Sequence, residues 1–351
     1  MQKLVPITTW SLRGLALGLL ALIAALAAFA TPLRAQEILR VPYVADIGTF
    51  DPDNGFEIGG VSAINNVYEG LVEYAPGTTK IVGLLARSWD ISADGLTYTF
   101  HLVDGVRFHD GTPLDAAAVV TSLERRKHNK FLLSYFLDNV TAIEAPDSHT
   151  VVLKLDHPQP SLLDSFSSPY GPKVVSPKAL AEHDNGDGAT GWLTQHADGT
   201  GPFKLAEFKP GERYVLQRND DYWGKKPALK EIIIKPIADN GARRQALQSG
   251  AIDGFDNVAP GDIDPLKQAN FQILERPSFN VAYLGFNGKH KPLDNPKIRQ
   301  AIAYALNREA LIKAKYGPGA EVAKEFMPPS LFGYSNDVPT YKYDPAKAKQ
   351  L

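Results

Sequence analysis

Residues 84–126 constrain the fold of this chain most strongly, because their turn chemistry can be read residue by residue. The stretch is LLARSWDISADGLTYTFHLVDGVRFHDGTPLDAAAVVTSLERR. Two pairs, Asp94-Gly95 and Asp104-Gly105, separate short apolar runs. An Asp-Gly pair suits the positive φ values of a type I′ turn, since glycine lacks a Cβ and Asp tolerates the left-handed region. The pattern therefore predicts two short hairpins.

A helix is predicted directly after the hairpins, over residues 116–126. Asp115 is suited to cap its first turn, and Val119, Val120 and Leu123 form one apolar face. The same patterns predict further strands at residues 38–45, 150–155, 213–218, 231–236 and 280–286, and helices at 62–74, 241–248, 265–268 and 296–307. Short strands that alternate with helices indicate a multi-lobed α/β protein.

The first 35 residues are predicted to be a cleaved signal peptide. Lys3 and Arg13 precede an apolar run over residues 15–29, and Leu33-Arg34-Ala35 or Ala28-Phe29-Ala30 offers a cleavage site. The run is shorter than the roughly 20 residues that span a bilayer, so an uncleaved anchor is the less favoured alternative. Periplasmic localisation is expected. The sequence has no Cys, which excludes disulfides and thiolate metal sites within it.

Charge and histidine placement exclude several classes of function. The 37 basic and 39 acidic residues are mixed along the chain, without the basic stripe that nucleic-acid binding needs. The sequence lacks the motifs H-E-x-x-H and G-x-S-x-G and a Gly-rich phosphate loop. We therefore predict no catalytic residue, no metal site and no cofactor. His109 is expected to be a solvated turn residue, and Trp89, Trp192 and Trp223 are expected to pack.

The hairpin region closely resembles the signature SW-x-x-S-x-DG-x-x-YTF-x-L-x-x-GV-x-FHDGTPL of the bacterial extracellular solute-binding proteins of family 5, the peptide-type receptors of ABC importers. Further similar segments follow in the family's order: VYEGLVEY, TGPFKL, RNDDYWGKKPALKEIIIKPI, LQSGAIDG, YLGFN, PLDNPKIRQAIAYALNREALIK, MPPSLFGY and YDPAKAKQL. Residues 291–334 look most like the dipeptide-binding members. Ala117 and Ala118 stand where the family usually has an acidic pair, which bears on local stability.

The resemblance implies a periplasmic-binding-protein-like type II α/β fold, with two lobes and an inserted subdomain. Residues 36–78 and 199–281 are expected to form the first lobe, 79–198 the inserted subdomain, and 282–351 the start of the second lobe. Since the sequence stops within a family helix at Leu351, the second lobe is expected to be incomplete. The Asp and Arg that hold the two ends of a dipeptide in relatives cannot be placed.

The resemblance also implies a monomeric receptor that captures di- or oligopeptides and delivers them to an ABC importer permease by hinge closure, without covalent chemistry. The predicted ligand contacts are Thr49, Phe50, Asp51, Ser278, Phe279 and Asn280. The predicted hinge residues are Gly201, Pro202, Phe203, Val281 and Gly285, since glycine absorbs the φ/ψ change of closure. The alternatives are a turn role for Asp51, a core role for Phe279 and a plain loop-to-strand junction at Gly201.

Other functions on the same scaffold stay open. The solute could be an opine, a nickel chelate, haem or an oligosaccharide, all of which occur among relatives. A periplasmic hydrolase or a chaperone-like protein is the less favoured alternative from another class.

Overall fold

The computed structural model describes residues 37–275, 280–316, 319–329, 331 and 333–351. Within these residues, ten strands form three sheets, and ten α-helices and one short 3-10 helix (Ser134–Leu137) connect them. The strands are β1 Ile38–Tyr43, β2 Val72–Tyr74, β3 Ile81–Gly83, β4 Ala86–Ile91, β5 Thr97–Leu102, β6 Val140–Asp147, β7 Thr150–Leu155, β8 Phe203–Lys209, β9 Arg213–Arg218 and β10 Glu231–Pro236. The helices are α1 Ile58–Val67, α2 Ala116–His128, α3 Leu162–Ser167, α4 Pro177–His183, α5 Thr190–Leu193, α6 Asn240–Gln248, α7 Pro260–Gln268, α8 Pro296–Ala305, α9 Arg308–Lys315 and α10 Pro345–Gln350.

The first four-stranded sheet has the order β1-β10-β9-β8. β1 runs parallel to β10, whereas β10, β9 and β8 are antiparallel neighbours. Tyr214, Leu216 and Ile234 alternate along their strands and are buried in the core beneath α1. The first strand of the described chain therefore shares one sheet with strands that follow residue 199. The division into lobes stays a prediction.

The second four-stranded sheet is antiparallel, with the order β4-β5-β7-β6. Tyr98, Phe100 and Leu102 of β5 alternate toward one face and are buried there, as the period-two pattern of a strand requires. α2 packs against β6 and β7 on this core. Its predicted cap is confirmed, because the Asp115 carboxylate accepts a hydrogen bond from the Ala118 N–H at 2.8 Å.

The turns differ from the predicted type I′ geometry. Gly95 and Gly105 have φ values of 70° and 77°, but the aspartates that precede them have negative φ. The Gly95 N–H donates to the Ser92 carbonyl, and the Ser92 N–H donates to the Thr97 carbonyl. This is a longer loop in which only the glycine takes the left-handed conformation. The second predicted hairpin, with its turn at Asp104-Gly105, does not form, since residues 106–108 belong to no strand. The isolated bridge between Arg107 and Pro113 closes the following turn instead.

The helix predicted over residues 62–74 is wrong at both ends. α1 begins at Ile58 and stops at Val67, and β2 begins at Val72. Tyr68 and Leu71 have the spacing of one helical face, but Tyr68 is buried in the core of the first sheet and Leu71 in that of the second. The chain becomes extended at Tyr68, with φ −118° and ψ 147°, because it passes from one core to the other.

Two predictions beyond residue 275 also change. Residues 280–286 form no strand in the described structure, since no neighbouring strand pairs with them. The helix predicted over 296–307 ends at Ala305, where Asn307 caps the next helix by accepting from the Ala310 N–H at 2.9 Å. The predicted signal peptide lies outside the described residues. Among those that are described, no helix is long and apolar enough to cross a membrane.

Candidate functional site

The loop between β1 and α1 is organised by one carboxylate. Asp51 accepts hydrogen bonds from the Asp53 N–H at 3.0 Å and from Asn54 Nδ2 at 2.9 Å. Its carbonyl accepts from the N–H groups of Asn54 and Gly55 at 3.2 and 2.9 Å. A short polar side chain that bonds the backbone two residues ahead is a standard means of fixing a turn. Residues 51–55 therefore have one well-defined conformation.

Two arginines in the last turn of α2 bind this loop. Arg125 binds the two Asp51 carboxylate oxygens through Nη1 and Nη2 at 3.0 and 2.8 Å, and it also pairs with Asp53. Arg126 donates to Asp53 Oδ1 at 2.7 Å and to the Pro52 carbonyl at 3.0 Å. All four charged side chains are at least nine-tenths buried. We call this group, Asp51, Asp53, Arg125 and Arg126, the buried charge cluster.

Burial shifts the pKa values of the cluster in opposite senses. Desolvation raises the pKa of Asp53, against the attraction of the two guanidinium groups. Desolvation lowers the pKa of Arg126, against the attraction of the aspartates. The two positive and two negative charges compensate each other, as buried charges must.

The predicted ligand contacts in this loop have different environments. Phe50 is fully buried and packs edge-on against Phe208 at a centroid distance of 5.9 Å. Asp51 is fully buried in the charge cluster, and Thr49 is half-buried with Oγ1 accepting from the Asp51 N–H. The observed roles of Phe50 and Asp51 are packing and ion pairing, and solute contact by this loop stays a prediction.

The second predicted set is only partly described. Ser278 and Phe279 lie outside the described residues, and Asn280 is exposed. Their contact with a solute therefore also stays a prediction.

An exposed apolar surface adjoins the loop, and the sequence did not predict it. Its members are Phe56, Ile58, Leu132, Tyr135 and Tyr170, which we call the apolar rim. Ile58 is 81% exposed, and Phe56, Leu132 and Tyr135 are each more than half exposed. The Phe56 and Tyr170 rings lie 5.1 Å apart. Exposed apolar side chains on segments that contact each other can form a binding surface.

The rim has two halves, Phe56 and Ile58 before and at the start of α1, and Leu132 and Tyr135 after α2. Backbone N–H groups of the second half bind the loop that carries the first. The Leu133 N–H donates to the Asp53 carbonyl at 3.1 Å, and the Leu132 N–H donates to Asn54 Oδ1 at 3.3 Å. The segment after α2 is thereby fixed beside the loop that carries Phe56. The sequence signal was weak, since an apolar residue among Asp, Gly and Asn cannot be assigned to the core or the surface from spacing alone.

The predicted hinge at Gly201 is tightly packed. The Gly201 N–H donates to the Val67 carbonyl at 2.9 Å, and a Cβ on Gly201 would lie 2.7 Å from that carbonyl oxygen. Glycine is therefore required here for close approach. Pro202 and Phe203 lead directly into β8. Val281 and Gly285 lie in an extended segment outside the sheets, with Gly285 exposed. The hinge function of these residues stays a prediction.

His109 of the FHDGTPL turn contacts the segment of residues 199–201, so the expectation of a solvated histidine is wrong. Its Nε2 lies 3.0 Å from the Gly201 carbonyl oxygen, and its backbone N–H donates to the Gly199 carbonyl at 2.8 Å. Burial lowers the pKa of His109 to about 4, so the ring is neutral at pH 7 and Nε2–H donates to the carbonyl.

A buried carboxylate, Glu69, follows α1 and binds side chains on either side of β8 and β9. Glu69 accepts from Thr200 Oγ1 at 2.7 Å, Tyr222 Oη at 2.7 Å and Trp223 Nε1 at 2.9 Å. Burial raises the pKa of Glu69, although these three hydrogen bonds oppose the shift. Trp223 packs on the core as predicted and also donates here. Among the described residues, no group of three or more His, Cys, Asp or Glu side chains could hold a metal ion.

The chain is similar to known proteins in both sequence and structure. Residues 80–351 match the family described as bacterial extracellular solute-binding proteins, family 5 middle. The chain belongs to this family. It is 34% identical to the dipeptide-binding protein of Escherichia coli K12 over 305 residues, which cover 81% of this chain and 57% of that protein. It is also 34% identical to heme-binding protein A of Haemophilus influenzae, over 81% of this chain and 55% of that protein.

Solved structures have the same fold. The periplasmic binding protein DppA of Helicobacter pylori in complex with the peptide STSA superposes with a TM-score of 0.78 and 28% identity, over 90% of this chain and 65% of that chain. NikZ of Campylobacter jejuni in complex with Ni(L-His) also gives 0.78 and 28%, over 90% and 62%. The fold is that of a type II periplasmic binding protein. The chain spans between about half and two thirds of the length of these relatives.

Proposed function

We propose that this chain belongs to a periplasmic receptor that captures di- or oligopeptides and delivers them to an ABC importer permease. The observation that carries the proposal is the apolar rim, one member of which, Phe56, lies on the ion-paired loop, in a member of solute-binding family 5. A solved relative at 28% identity was crystallised with a peptide. Peptide side chains would contact the rim. Thr49 and Asn280 are the described members of the predicted contact set that are half-buried or exposed.

Capture requires no covalent chemistry. The solute is bound and released unchanged, with closure driven by a difference in affinity between an open and a closed form. Gly201, Pro202, Phe203, Val281 and Gly285 are the proposed hinge. A cleaved signal peptide over residues 1–35 would export a monomeric receptor to the periplasm.

Haem is the second candidate solute, because aromatic rings exposed on the rim would also contact a flat porphyrin. Phe56 and Tyr135 are 52% and 55% exposed. A relative at 34% identity is named a heme-binding protein.

Ligand-observed NMR titration of the full chain with Ala-Phe, Gly-Leu, glutathione and Ni(L-His), together with haem absorbance titration, tests the proposal. We expect the dipeptides to bind and to be recovered intact. Removing two exposed aromatic groups in Phe56→Ala/Tyr135→Ala should weaken dipeptide affinity about tenfold or more. Tyr343→Ala, which removes a ring of equal exposure in the C-terminal region, is the matched control.

Three results would contradict the proposal. Haem binding without dipeptide binding would favour the second candidate. Hydrolysis of the peptide would indicate an enzyme. Equal dipeptide affinity in wild type and the double variant would mean that the rim does not contact the solute.

A further inference from the structure

The buried charge cluster lies between the two halves of the apolar rim. On one side, Arg125 and Arg126 bind the loop that carries Phe56 through Asp51, Asp53 and the Pro52 carbonyl. On the other side, the Arg125 guanidinium lies 4.4 Å from the Phe131 ring centroid, and that of Arg126 lies 5.8 Å from the Phe136 ring centroid. These rings flank Leu132 and Tyr135.

We propose that Arg125 and Arg126 are positioning residues, which set the spacing and orientation of the two halves of the solute-binding rim. The proposal rests on the proposed function of that rim. It assigns to the inserted segment a role in recognition, although neither arginine is exposed enough to contact the solute itself.

The hydrogen-bond geometry indicates that the two arginines orient the loop as well as neutralise the aspartates. Arg125 presents two N–H groups to the two oxygens of Asp51, and such a planar fork fixes orientation in a way that a lysine ammonium cannot. Arg126 reaches main-chain carbonyls of both neighbouring segments, Pro52 at 3.0 Å and Tyr170 at 3.2 Å. Tyr170 is itself a member of the rim.

The presence of charged residues at these buried positions, where apolar residues would also fit a core, is a second argument for a positioning role. A buried ion pair is often no more stabilising than apolar residues of similar volume, so stability alone does not account for four buried charges. The conformation they specify leaves Phe56 and Ile58 exposed to solvent. Ile58, at 81% exposure, gains little from burial within the chain, and we infer that the fixed loop serves an interaction.

The experiment combines backbone amide exchange with solute affinity in the full chain. Arg125→Lys keeps the charge and removes the fork. We expect exchange of the Asp53, Asn54 and Gly55 amides to accelerate at least tenfold, and the dissociation constant for Ala-Phe to rise at least tenfold. Amides of β5 and β7 should exchange as in wild type. Arg87→Lys, which alters an exposed arginine paired with Asp104, should change neither quantity.

A milder pair of variants keeps the test decisive if Arg125→Lys does not fold. Thr190 Oγ1 donates to Asp51 Oδ2 at 3.1 Å and accepts from Arg125 Nη2 at 3.3 Å. Thr190→Val removes this hydroxyl and should produce the same changes to a lesser degree. Thr190→Ser retains it and should behave as wild type.

The outcomes separate this proposal from the proposed function. Unchanged loop exchange, or affinity within twofold of wild type despite faster loop exchange, would overturn the positioning role. Faster exchange spread evenly over β5 and β7 would assign the cluster to stability alone and also overturn it. If wild type binds none of the peptides, the proposed function fails. In that case, faster amide exchange in Arg125→Lys that is confined to residues 53–55 and 131–136 would still support positioning of the rim.

Discussion

The first part of the molecule, residues 37–271, and the C-terminal part, residues 280–351, contain equally clear helix signals but differ in burial. α2 contributes Ala116, Val119 and Leu123 to a core. α8, α9 and α10 contain no buried residue. Leu266 is the last buried aliphatic or aromatic residue of the described chain, and Pro328 is the one residue after it that is buried among those described. Local sequence signals are therefore sufficient to form a helix, but burial depends on a partner surface elsewhere in the fold.

The C-terminal helices are held by contacts among themselves. The Tyr304 and Tyr341 rings meet edge-on at 5.2 Å, Arg308 donates to the Tyr341 carbonyl at 2.7 Å, and the Asp344 N–H donates to the Tyr304 carbonyl at 2.8 Å. These few exposed contacts predict a lower local stability than that of the two sheet cores.

Truncation of an apolar side chain should lower the free energy of unfolding much more in the first part than in the C-terminal part, and this is the largest difference that we expect between them. Phe100 is fully buried and stacks on Phe166 at 6.1 Å, so Phe100→Ala should reduce the free energy of unfolding by about 3–5 kcal/mol. Ile302 is only half-buried on α8, and Ile302→Ala should cost less than about 1 kcal/mol. Urea denaturation followed by circular dichroism measures both. Similar losses would mean that the two parts share one cooperative core.

Sequence reasoning was most successful where structure is determined locally. The Asp115 cap, the alternating strand around Phe100 and the strands that became β7, β9 and β10 depend on neighbouring residues, and each was predicted. Family resemblance added the fold class, which spacing alone could not give.

The candidate site was harder to predict because it depends on distant contacts. Arg125 and Asp51 are 74 positions apart, and neither residue type signals a buried partner. Arg125 and Arg126 carry no sequence signal beyond their place in the last turn of α2, and Phe50 is a predicted ligand contact that packs on Phe208. The rim was missed for the complementary reason, since exposure of Phe56 becomes visible only once the loop is folded.

The carboxyl group of Asp198, which precedes the segment of residues 199–201, should make the stability of the first part pH-dependent. Burial, aided by the nearby charge of Asp110, raises the pKa of Asp198 to about 7. The folded state thus binds this proton more tightly than the unfolded chain, whose Asp pKa is about 4. The resulting stability, about 4 kcal/mol at most, is fully present below about pH 4 and is lost as the pH rises through about 7.

Asp198→Asn isolates this contribution. Relative to wild type, the variant should gain stability as the pH rises from about 4 to about 7, and it should be the more stable of the two at pH 8. Asp94→Asn, at an exposed turn with a lowered pKa, should leave the slope in this range unchanged. Urea midpoints at several pH values provide the measurement. A slope that persists in Asp198→Asn would assign the effect to another group.

The smallest expected effect compares two helix caps of the same kind. Asp115 accepts from the Ala118 N–H at 2.8 Å, and Asn295 accepts from the Lys297 N–H at 3.0 Å. Replacing a capping side chain with Ala costs about 1 kcal/mol where the helix forms part of a cooperative core. Asp115→Ala should therefore lower the urea midpoint. Asn295→Ala should reduce the helical signal slightly and leave the midpoint unchanged, because α8 buries no residue against either sheet. If Asn295→Ala shifts the midpoint as much as Asp115→Ala does, then α8 unfolds together with the sheet cores, and exposure is a poor guide to how the two parts of this chain are coupled.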